Sequence, residues 1–297
     1  MVELKPAFRE PTLADADWAI PLLRSCDSRC CEYSYANMMM WRHYYDTRIA
    51  REGDYLLIRF RADNPIDMIP VGGDIRAGVR LLLDCARAEG HPLRLFGCSR
   101  EEVARIEDWF PGRFSIEAHD ADFDYLYRQE DLATLAGKKY HAKRNHVSAF
   151  SKAHDWHYEP MTDRNIPEIL DMAAQWYAER PDAEGELSAE KQAIEEALHH
   201  HRIMALSGGL IRIDRKVVAF TFGSPLTADT FDVHVEKALS AYAGAYAVIN
   251  QEFAKTLSGY TYINRENDVG VEGLRKAKQS YRPAIWLEKY FCVEREG

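Results

Sequence analysis

The sequence predicts an α/β protein made of two lobes side by side, each a mixed, mainly antiparallel sheet flanked by helices. The order strand, helix, strand, helix, strand occurs twice, over residues 54–127 and again over residues 231–291. The most basic stretch of the chain, residues 131–153, lies between the two copies. A chain of 297 residues has room for two ordinary domains, although one continuous sheet is an alternative. We therefore expect an N-terminal lobe at 1–130, a basic connecting helix at 131–153 and a C-terminal lobe at 154–297.

Composition and charge argue against several functional classes. The net charge is −9, so no global positive field attracts nucleic acid or anionic lipid, although a local basic site is compatible with it. No apolar run reaches the roughly 18–20 residues that a membrane span needs, and the first residues lack a signal-peptide pattern. The six cysteines form no CxxC pair, and the three consecutive histidines at 199–201 point in different directions on a helix. We expect a soluble cytoplasmic protein without a metal centre or a tightly bound cofactor.

The elements of the N-terminal lobe follow from apolar periodicity between turn and capping residues. Ser99 and Glu102 have the spacing of a capping box, in which each side chain bonds the other residue's backbone N–H. In chain order, we expect helices at 12–23 and 35–45, strands at 54–60 and 66–71, a helix from Asp74 to Gly90, a strand at 92–96, a helix after Ser99, and strands at 113–117 and 123–127.

The C-terminal lobe is predicted in the same way. In chain order, we expect a strand at 156–159, a helix capped by Thr162, a polar loop at 180–187, a helix at 188–201, strands at 209–213 and 216–222 joined at Asp214-Arg215, a strand at 231–236, a helix that begins near Ala243, a strand at 260–263, and a helix that ends at Arg282-Pro283.

The candidate site lies at the charged corner Asn264-Arg-Glu-Asn-Asp268, which follows a strand and precedes a helix. Open α/β folds bind ligands at the carboxyl ends of strands. Side chains alternate along a strand, so His234 and Glu236 should share one face of the preceding strand. Glu236 is the first candidate general base, with an ordinary strand-end carboxylate as the alternative. The candidate catalytic residues are Glu236, His234, Asn264, which could stabilise an oxyanion, and Glu266, which could bind an ammonium group.

The candidate substrate-binding residues are mainly cationic. On a helix, Lys139, Lys143 and His146 would share a face suited to phosphate, with a solvated linker surface as the alternative. Backbone N–H groups at the start of the helix near Ala243 would face an anion. Asp268 either binds an ammonium group or caps the next helix. The full set is Lys139, Lys143, Arg144, Gly244, Arg265, Asp268, Arg275 and Lys278.

Two stretches resemble the signatures of a bacterial protein family. They are Lys138-Lys-Tyr-His-Ala-Lys-Arg-Asn-His146 followed by Phe150, and Asn264 to Lys278 followed by Ser280-Tyr281-x-Pro283. Both resemble sequences in the family related to the C-terminal, cytoplasmic domain of phosphatidylglycerol lysyltransferase. The resemblance extends over most of the chain. The resemblance implies two GNAT-like lobes in tandem. It also implies kinship with enzymes that move an aminoacyl group from aminoacyl-tRNA to an amine or hydroxyl acceptor.

The resemblance implies a donor co-substrate, which is either aminoacyl-tRNA bound through residues 138–146 or acyl-CoA. In GNAT enzymes, one strand separates from its neighbour and the donor's arm lies in the resulting cleft. Enzymes that use acetyl-CoA usually have a glycine-rich phosphate turn, whereas here Tyr242 stands at the position of the first glycine and only Gly244 remains. The acceptor is a small molecule, a peptide or a lipid headgroup. The alternatives are an acyl-CoA-dependent N-acyltransferase and a binding protein of the same fold without chemistry.

Overall fold

The computed structural model describes residues 6–61, 63–180 and 186–295, which form both helices and strands. The α-helices are α1 (Ala16–Ser25), α2 (Tyr35–Trp41), α3 (Ile75–Glu89), α4 (Arg100–Trp109), α5 (Gln129–Thr134), α6 (His141–Ala153), α7 (Ile166–Ala178), α8 (Glu186–His199), α9 (Ala245–Thr256) and α10 (Glu272–Gln279). The strands are β1 (Arg48–Glu52), β2 (Tyr55–Phe60), β3 (Ile66–Met68), β4 (Arg94–Cys98), β5 (Phe114–Ala118), β6 (Asp124–Arg128), β7 (Trp156–Pro160), β8 (Ser207–Ile213), β9 (Lys216–Pro225), β10 (Thr230–Ala238), β11 (Tyr262–Asn264), β12 (Ile285–Leu287) and β13 (Tyr290–Glu294).

These strands form two mixed sheets. The six-stranded sheet has the order β1-β2-β3-β4-β13-β5, and the seven-stranded sheet has the order β12-β6-β11-β10-β9-β8-β7. The pairs β3–β4 and β10–β11 are parallel, whereas the other strand pairs between described residues are antiparallel. Helices flank both sheets. The predicted fold class, two mixed and mainly antiparallel sheets with helices, is therefore confirmed.

The sheets do not follow the boundaries that the sequence predicts at 130 and 154. Strand β6, predicted within the first lobe, pairs with β11 and β12 in the seven-stranded sheet. Strand β13, predicted to close the second lobe, pairs with β4 and β5 in the six-stranded sheet. The reason is that strand pairing here is decided by partners more than 100 residues away, which no local pattern encodes. The chain thus crosses between the lobes twice.

The basic stretch at 131–153 is not one helix. Helix α5 ends where Leu135 and Gly137 take left-handed backbone conformations, with φ of 50° and 85°. A 3-10 turn at Lys138–Tyr140 follows, and α6 begins at His141. Left-handed residues end helices because their carbonyl groups no longer continue the ladder of hydrogen bonds. The predicted single connecting helix is therefore wrong.

Capping predictions are largely confirmed. Ser99 and Glu102 form the predicted capping box at the start of α4. Asp74 caps α3, which ends at Gly90 in a left-handed conformation. By contrast, Thr162 does not cap α7, because Asn165 occupies the N-cap position. In addition, β1 was not predicted, and of the predicted polar loop at 180–187, residues 181–185 lie outside the described residues.

One hydrophobic core joins the two lobes. It contains apolar side chains of α1 and α2 from the N-terminal half together with side chains of α7, α8, β9 and β10. The opposite face of the seven-stranded sheet is covered mainly by α5, α6 and α9. Polar side chains on the lobe-facing side of β10 are therefore buried between two layers of protein.

Candidate functional site

Strand β10 separates from its parallel neighbour after a short contact. β11 pairs with Thr230–Asp232 and then ends. For residues 233–238 of β10, no partner on this edge is found among the described residues. The structure thus contains the strand separation that the resemblance implies, and the charged corner after β11 lies beside it.

A β-bulge in β10 places His234 and Glu236 on opposite faces of the sheet. The pairing of β10 with β9 shifts between Val233 and Val235, and so skips His234. His234 Nε2 lies 2.9 Å from the Ser224 hydroxyl on the side that faces the N-terminal lobe. Glu236 lies on the α9 side, where its Oε2 accepts a hydrogen bond from Asn250 at 3.0 Å. The predicted shared face of His234 and Glu236 is therefore wrong, because the bulge breaks the strict alternation.

A cavity of about 320 Å³ lies between the N-terminal lobe and the charged corner that follows β11. Its volume is at the lower end of the range for small-molecule sites. The wall is formed by apolar and aromatic side chains of α2 and the six-stranded sheet, and the polar lining contains acidic, amide and arginine side chains. The apolar wall includes Met38, Trp41, Phe60, Ile66, Phe96 and Phe291, and the polar lining includes Glu32, Asn37, Arg61, Arg94, Asp122, Glu266 and Asn267.

Glu266 is the predicted catalytic residue that reaches the cavity. Its Oε1 accepts hydrogen bonds from Asn37 Nδ2 and lies against His234 Nδ1, both at 2.9 Å. No hydrogen bond to Oε2 is found within the described part of the chain. Glu266 has a φ of 55°, a left-handed conformation that a residue with a side chain rarely adopts unless its surroundings impose it. The structure thus holds this carboxylate through Oε1, and none of the described residues bonds Oε2.

Asn264 and Lys278 impose that conformation on the corner. Glu266 N donates to Asn264 Oδ1 at 2.7 Å, and Asn264 Nδ2 donates to Asp124 at 3.0 Å. Lys278 Nζ donates to the backbone carbonyls of Arg265 at 2.6 Å, Glu266 at 3.2 Å and Asn267. Burial lowers the pKa of Lys278 to about 8. The Asn264 amide and the Lys278 ammonium therefore stabilise the loop. They do not face an oxyanion or a phosphate, which are the roles that the sequence predicts for them.

Asp268 and Arg275 form a second clamp on the same corner. The buried Asp268 accepts hydrogen bonds from Tyr125 Oη at 2.6 Å and Arg275 Nε at 2.8 Å. Burial alone raises the pKa of Asp268, but these hydrogen bonds hold it below its usual value. The N-cap of α10 is Val271. Asp268 is therefore neither the predicted cap nor free to bind an ammonium group, because its carboxylate is already paired.

Glu236 and Arg265 face the other side of the sheet, where they bridge the separated strands. Arg265 Nη2 lies 3.0 Å from Glu236 Oε1. Arg265 Nη1 is buried, and no partner for it is found within the described ranges. Lys143 Nζ lies 3.8 Å from the centre of the Tyr281 ring, and burial together with Arg265 lowers its pKa to about 8. Both oxygens of Glu236 are thus occupied by partners, and its predicted role as a base stays a prediction.

The basic stretch does not present the predicted common face. Lys139 lies in the 3-10 turn before α6 and forms an ion pair with Asp131 at 2.9 Å. Arg144 Nη1 donates to the carbonyls of Leu135 and Gly137. Lys139 and Arg144 therefore stabilise the break in the helix, because both are bonded to the segment before it.

Gly244 begins α9 with a φ of 95°. A Cβ atom at this position would lie 2.8 Å from the carbonyl oxygen of His146 in α6. The close approach of α6 explains why glycine is needed here. It also means that α6 covers the predicted anion site at the start of α9.

The sequence reasoning missed a buried charged cluster next to the cavity. Lys289, 1% exposed, lies 2.8 Å from Asp124 Oδ1 and 2.7 Å from Glu32 Oε1. Asp232 is fully buried near His234. A signal for Asp232 was present, since it lies two residues before His234 on the same predicted strand. Its other neighbours in space come from distant segments.

Comparison with known proteins identifies the family. The family model for "Phosphatidylglycerol lysyltransferase, C-terminal" matches residues 23–293. The chain belongs to this family. Its two sheets correspond to the tandem GNAT-like lobes that the resemblance implies. None of the helices in the described part of the chain has the length and apolar character needed to span a bilayer.

Relatives of known structure share this architecture. A conserved protein of unknown function from Bacteroides thetaiotaomicron VPI-5482 is 41% identical, with a TM-score of 0.92 over 98% of this chain and 100% of that one. The C-terminal domain of a putative lysylphosphatidylglycerol synthetase from Agrobacterium fabrum is 17% identical, with a TM-score of 0.68 over 96% and 93% of the two chains.

The uncharacterized protein MYCGA3080 from Mycoplasmoides gallisepticum is 22% identical over 199 residues. That match covers 64% of this chain and 63% of that protein, which is less than two thirds of its length.

Proposed function

We propose that the chain is an aminoacyltransferase that moves an aminoacyl group from aminoacyl-tRNA to an amine or hydroxyl acceptor in the cytoplasm. Membership of the phosphatidylglycerol lysyltransferase family supports this class of reaction. The observation that carries the proposal is Glu266, which reaches the cavity between the lobes with one carboxylate oxygen unpaired among the described residues. The cavity would receive the aminoacyl group.

Two carboxylates in the cavity lining, those of Asp122 and Glu266, suit an aminoacyl group better than an acetyl group. Asp122 lines the cavity beside Glu266, and burial raises the pKa of Asp122. An aminoacyl ester carries an α-ammonium, which would offset the cost of keeping these carboxylates charged away from water. An acetyl group has no charge for them to bind. Asp122 and Glu266 thus favour a cationic acyl group, while Arg61 and Arg94 in the same lining offer contacts for an anionic group of the donor.

The transfer itself needs a base at the acceptor. The oxygen or nitrogen of the acceptor attacks the ester carbonyl carbon and forms the new bond, and the bond from that carbon to the terminal ribose oxygen of the tRNA breaks. The proton of the attacking group passes to Glu266 and then to the ribose oxygen, so the carboxylate is regenerated. The side chain of His234 is 1% exposed and does not line the cavity, so it would position the Glu266 carboxylate and not touch substrate.

The start of α9 supports tRNA over CoA as the source of the acyl group. The carbonyl of His146 lies against Gly244, and Tyr242 replaces the first glycine of the phosphate turn. A pyrophosphate needs free backbone N–H groups and close approach at this place. The exposed side chains of Lys138, Lys139 and His146 remain the proposed contact for the tRNA phosphates. The acyl-CoA alternative is an outcome of the test below.

The test is transfer of radiolabelled lysine from lysyl-tRNA, with a mixed aminoacyl-tRNA pool and radiolabelled acetyl-CoA as donors in parallel reactions. Acceptors are glycerol, a peptide with a free amine, and vesicles that contain phosphatidylglycerol. Removing a general base costs roughly 100- to 10,000-fold in rate, so Glu266→Gln should lower transfer by at least about 100-fold. The matched control is Glu272→Gln, because it makes the same substitution at a glutamate on α10 whose side chain is 79% exposed. It should transfer at the rate of the unmodified protein.

Two results would overturn the assignment. Loss of transfer in Glu236→Gln with full activity in Glu266→Gln would move the base to the opposite face of β10. Transfer from acetyl-CoA together with no transfer from any aminoacyl-tRNA would make the protein an acyl-CoA-dependent N-acyltransferase.

A further inference from the structure

Asp232 is a buried carboxylate for which the described residues supply no hydrogen bond. Its side chain is 0% exposed, and neither of its oxygens has a hydrogen-bond partner within the described residues. The nearby Asp124 is buried to the same degree, yet it accepts hydrogen bonds from Cys31 N at 2.9 Å, Asn264 Nδ2 at 3.0 Å and Lys289 Nζ at 2.8 Å. Buried polar groups are nearly always hydrogen-bonded, so Asp232 indicates a missing partner.

Two further ligand-type side chains converge on Asp232. His234 Nδ1 lies 3.5 Å from Asp232 Oδ2 and 2.9 Å from Glu266 Oε1. One donor atom from each of the three residues lies within 4.8 Å of the other two. Two ligand atoms that are each about 2.1 Å from a cation lie roughly 3.0–3.4 Å apart in octahedral or tetrahedral geometry. The three side chains therefore have nearly the spacing of a coordination shell.

Ser224 orients the ring of His234 so that the ring can bind a cation. The Ser224 hydroxyl lies 2.9 Å from His234 Nε2. When Nε2 carries the proton and donates it to this hydroxyl, Nδ1 presents its lone pair to the two carboxylates. Metal-binding histidines are commonly oriented by such a hydrogen bond at the second ring nitrogen. The β-bulge at His234 also serves this arrangement, since it turns the ring toward Asp232 and Glu266.

The charges around the cluster are unbalanced. Asp232, Glu266, Asp124 and Glu32 are four carboxylates that influence one another, and Lys289 is the cation paired with two of them. Lys278 lies near Glu266, but its ammonium is bonded to backbone carbonyls. A divalent cation would supply the missing positive charge.

We propose that Asp232, His234 and Glu266 bind a divalent transition-metal cation, Mn²⁺ or Zn²⁺, beside the cavity between the lobes. Two carboxylates and one imidazole are ligands that these cations accept, whereas the imidazole makes Mg²⁺ and Ca²⁺ poor competitors. The metal site uses one carboxylate oxygen of Glu266, and the other oxygen can still contact a ligand in the cavity. The proposal does not rest on aminoacyl transfer.

The test is direct metal binding by the full chain. Purified protein is stripped with a chelator, desalted and titrated with Mn²⁺, and free Mn²⁺ is measured by electron paramagnetic resonance. Thermal-shift titrations with Mn²⁺, Zn²⁺ and Mg²⁺ run in parallel, because a ligand that binds the folded state raises the melting temperature. We expect one Mn²⁺ per chain, stabilisation by Mn²⁺ or Zn²⁺, and at least about tenfold weaker binding in Asp232→Asn and His234→Gln.

Glu236→Gln is the matched control, since Glu236 is a carboxylate on the same strand but on the opposite face. Its Mn²⁺ affinity should equal that of the unmodified protein. The proposal is overturned if the unmodified protein binds no metal at millimolar concentration, or if both Asp232→Asn and His234→Gln bind as well as it does. It is also overturned if Asp232→Asn raises the melting temperature of the stripped protein while metals have no effect, because Asp232 is then a protonated acid. These readouts require no activity, so they are separate from the test of aminoacyl transfer.

Discussion

Replacing Lys289 by methionine removes the ammonium that the two lobes share. Lys289 precedes β13, the strand that returns to the six-stranded sheet, and its Nζ lies 2.7 Å from Glu32 Oε1 and 2.8 Å from Asp124 Oδ1. The side chain is 1% exposed. Methionine has a similar length without the charge, so the substitution tests the charge and not the packing. The variant leaves two carboxylates near each other without a cation.

The size of the effect follows from these distances. At an effective dielectric constant of about 20, each contact of this length is worth about 6 kcal/mol before desolvation is subtracted. Breaking a buried ion pair by removing one partner costs roughly 3–5 kcal/mol. Unfolding entropy is about 2.1 cal/mol/K per residue, or roughly 0.6 kcal/mol/K for a chain of this size. We therefore expect the melting temperature of Lys289→Met to fall by about 5–8 °C.

The effect should depend on pH. Although burial alone lowers the pKa of Lys289, Asp124 and Glu32 hold it well above its usual range. A raised lysine pKa stabilises the folded state fully below the unfolded pKa, so the unmodified protein keeps this contribution throughout pH 5–8. In Lys289→Met the charges of the two carboxylates repel each other in the folded state without a cation between them, and acid reduces this charge. The difference in folding stability between the unmodified protein and Lys289→Met should therefore become smaller as the pH falls from 8 to 5.

Chemical denaturation at pH 5, 6.5 and 8, with thermal melting in parallel, measures both effects. Lys276→Met is the control, because its side chain is 73% exposed in an ion pair with Glu272, and exposed pairs are worth less than about 1 kcal/mol. The double variant Lys289→Met/Asp124→Asn should lose less stability than the sum of the two single variants, since each removes the same contact. A loss below about 1 kcal/mol in Lys289→Met that is equal at all three pH values would refute the reasoning.

Two further predictions concern the α9 side of the sheet. Gly244→Ala should destabilise the protein by about 1–3 kcal/mol in denaturant titrations, because its Cβ would meet the His146 carbonyl at 2.8 Å and its φ is 95°. Gly259→Ala has nothing within 4 Å and is the control; equal losses in the two variants would contradict the packing argument. Lys143, whose pKa is lowered to about 8, should titrate near that pH when its ¹³C-methylated amine is followed by NMR. A Lys143 titration above pH 10 would show that its ammonium is hydrated and not held over the Tyr281 ring.

Part of the site could be predicted from the sequence. The corner at residues 264–268 was located because charged residues between a strand and a helix are a local signal, and Glu266 there does reach the cavity. The opposite faces of His234 and Glu236 could not be predicted, because a bulge depends on the register with the partner strand. The roles assigned to Asn264 and Lys278 changed for a similar reason, since the backbone groups that they bind are exposed only by the folded loop.

The sequence by itself determined the class of fold, the caps of α3 and α4, the two family signatures and the position of the charged corner. These are local properties, set by capping chemistry, periodicity and turn residues over fewer than about 20 neighbouring residues. The tertiary structure decided which sheet receives β6 and β13, which face His234 occupies, and that Asp232, His234 and Glu266 meet. Those outcomes depend on contacts between segments from both ends of the chain, whose free energy appears only when the two lobes pack together.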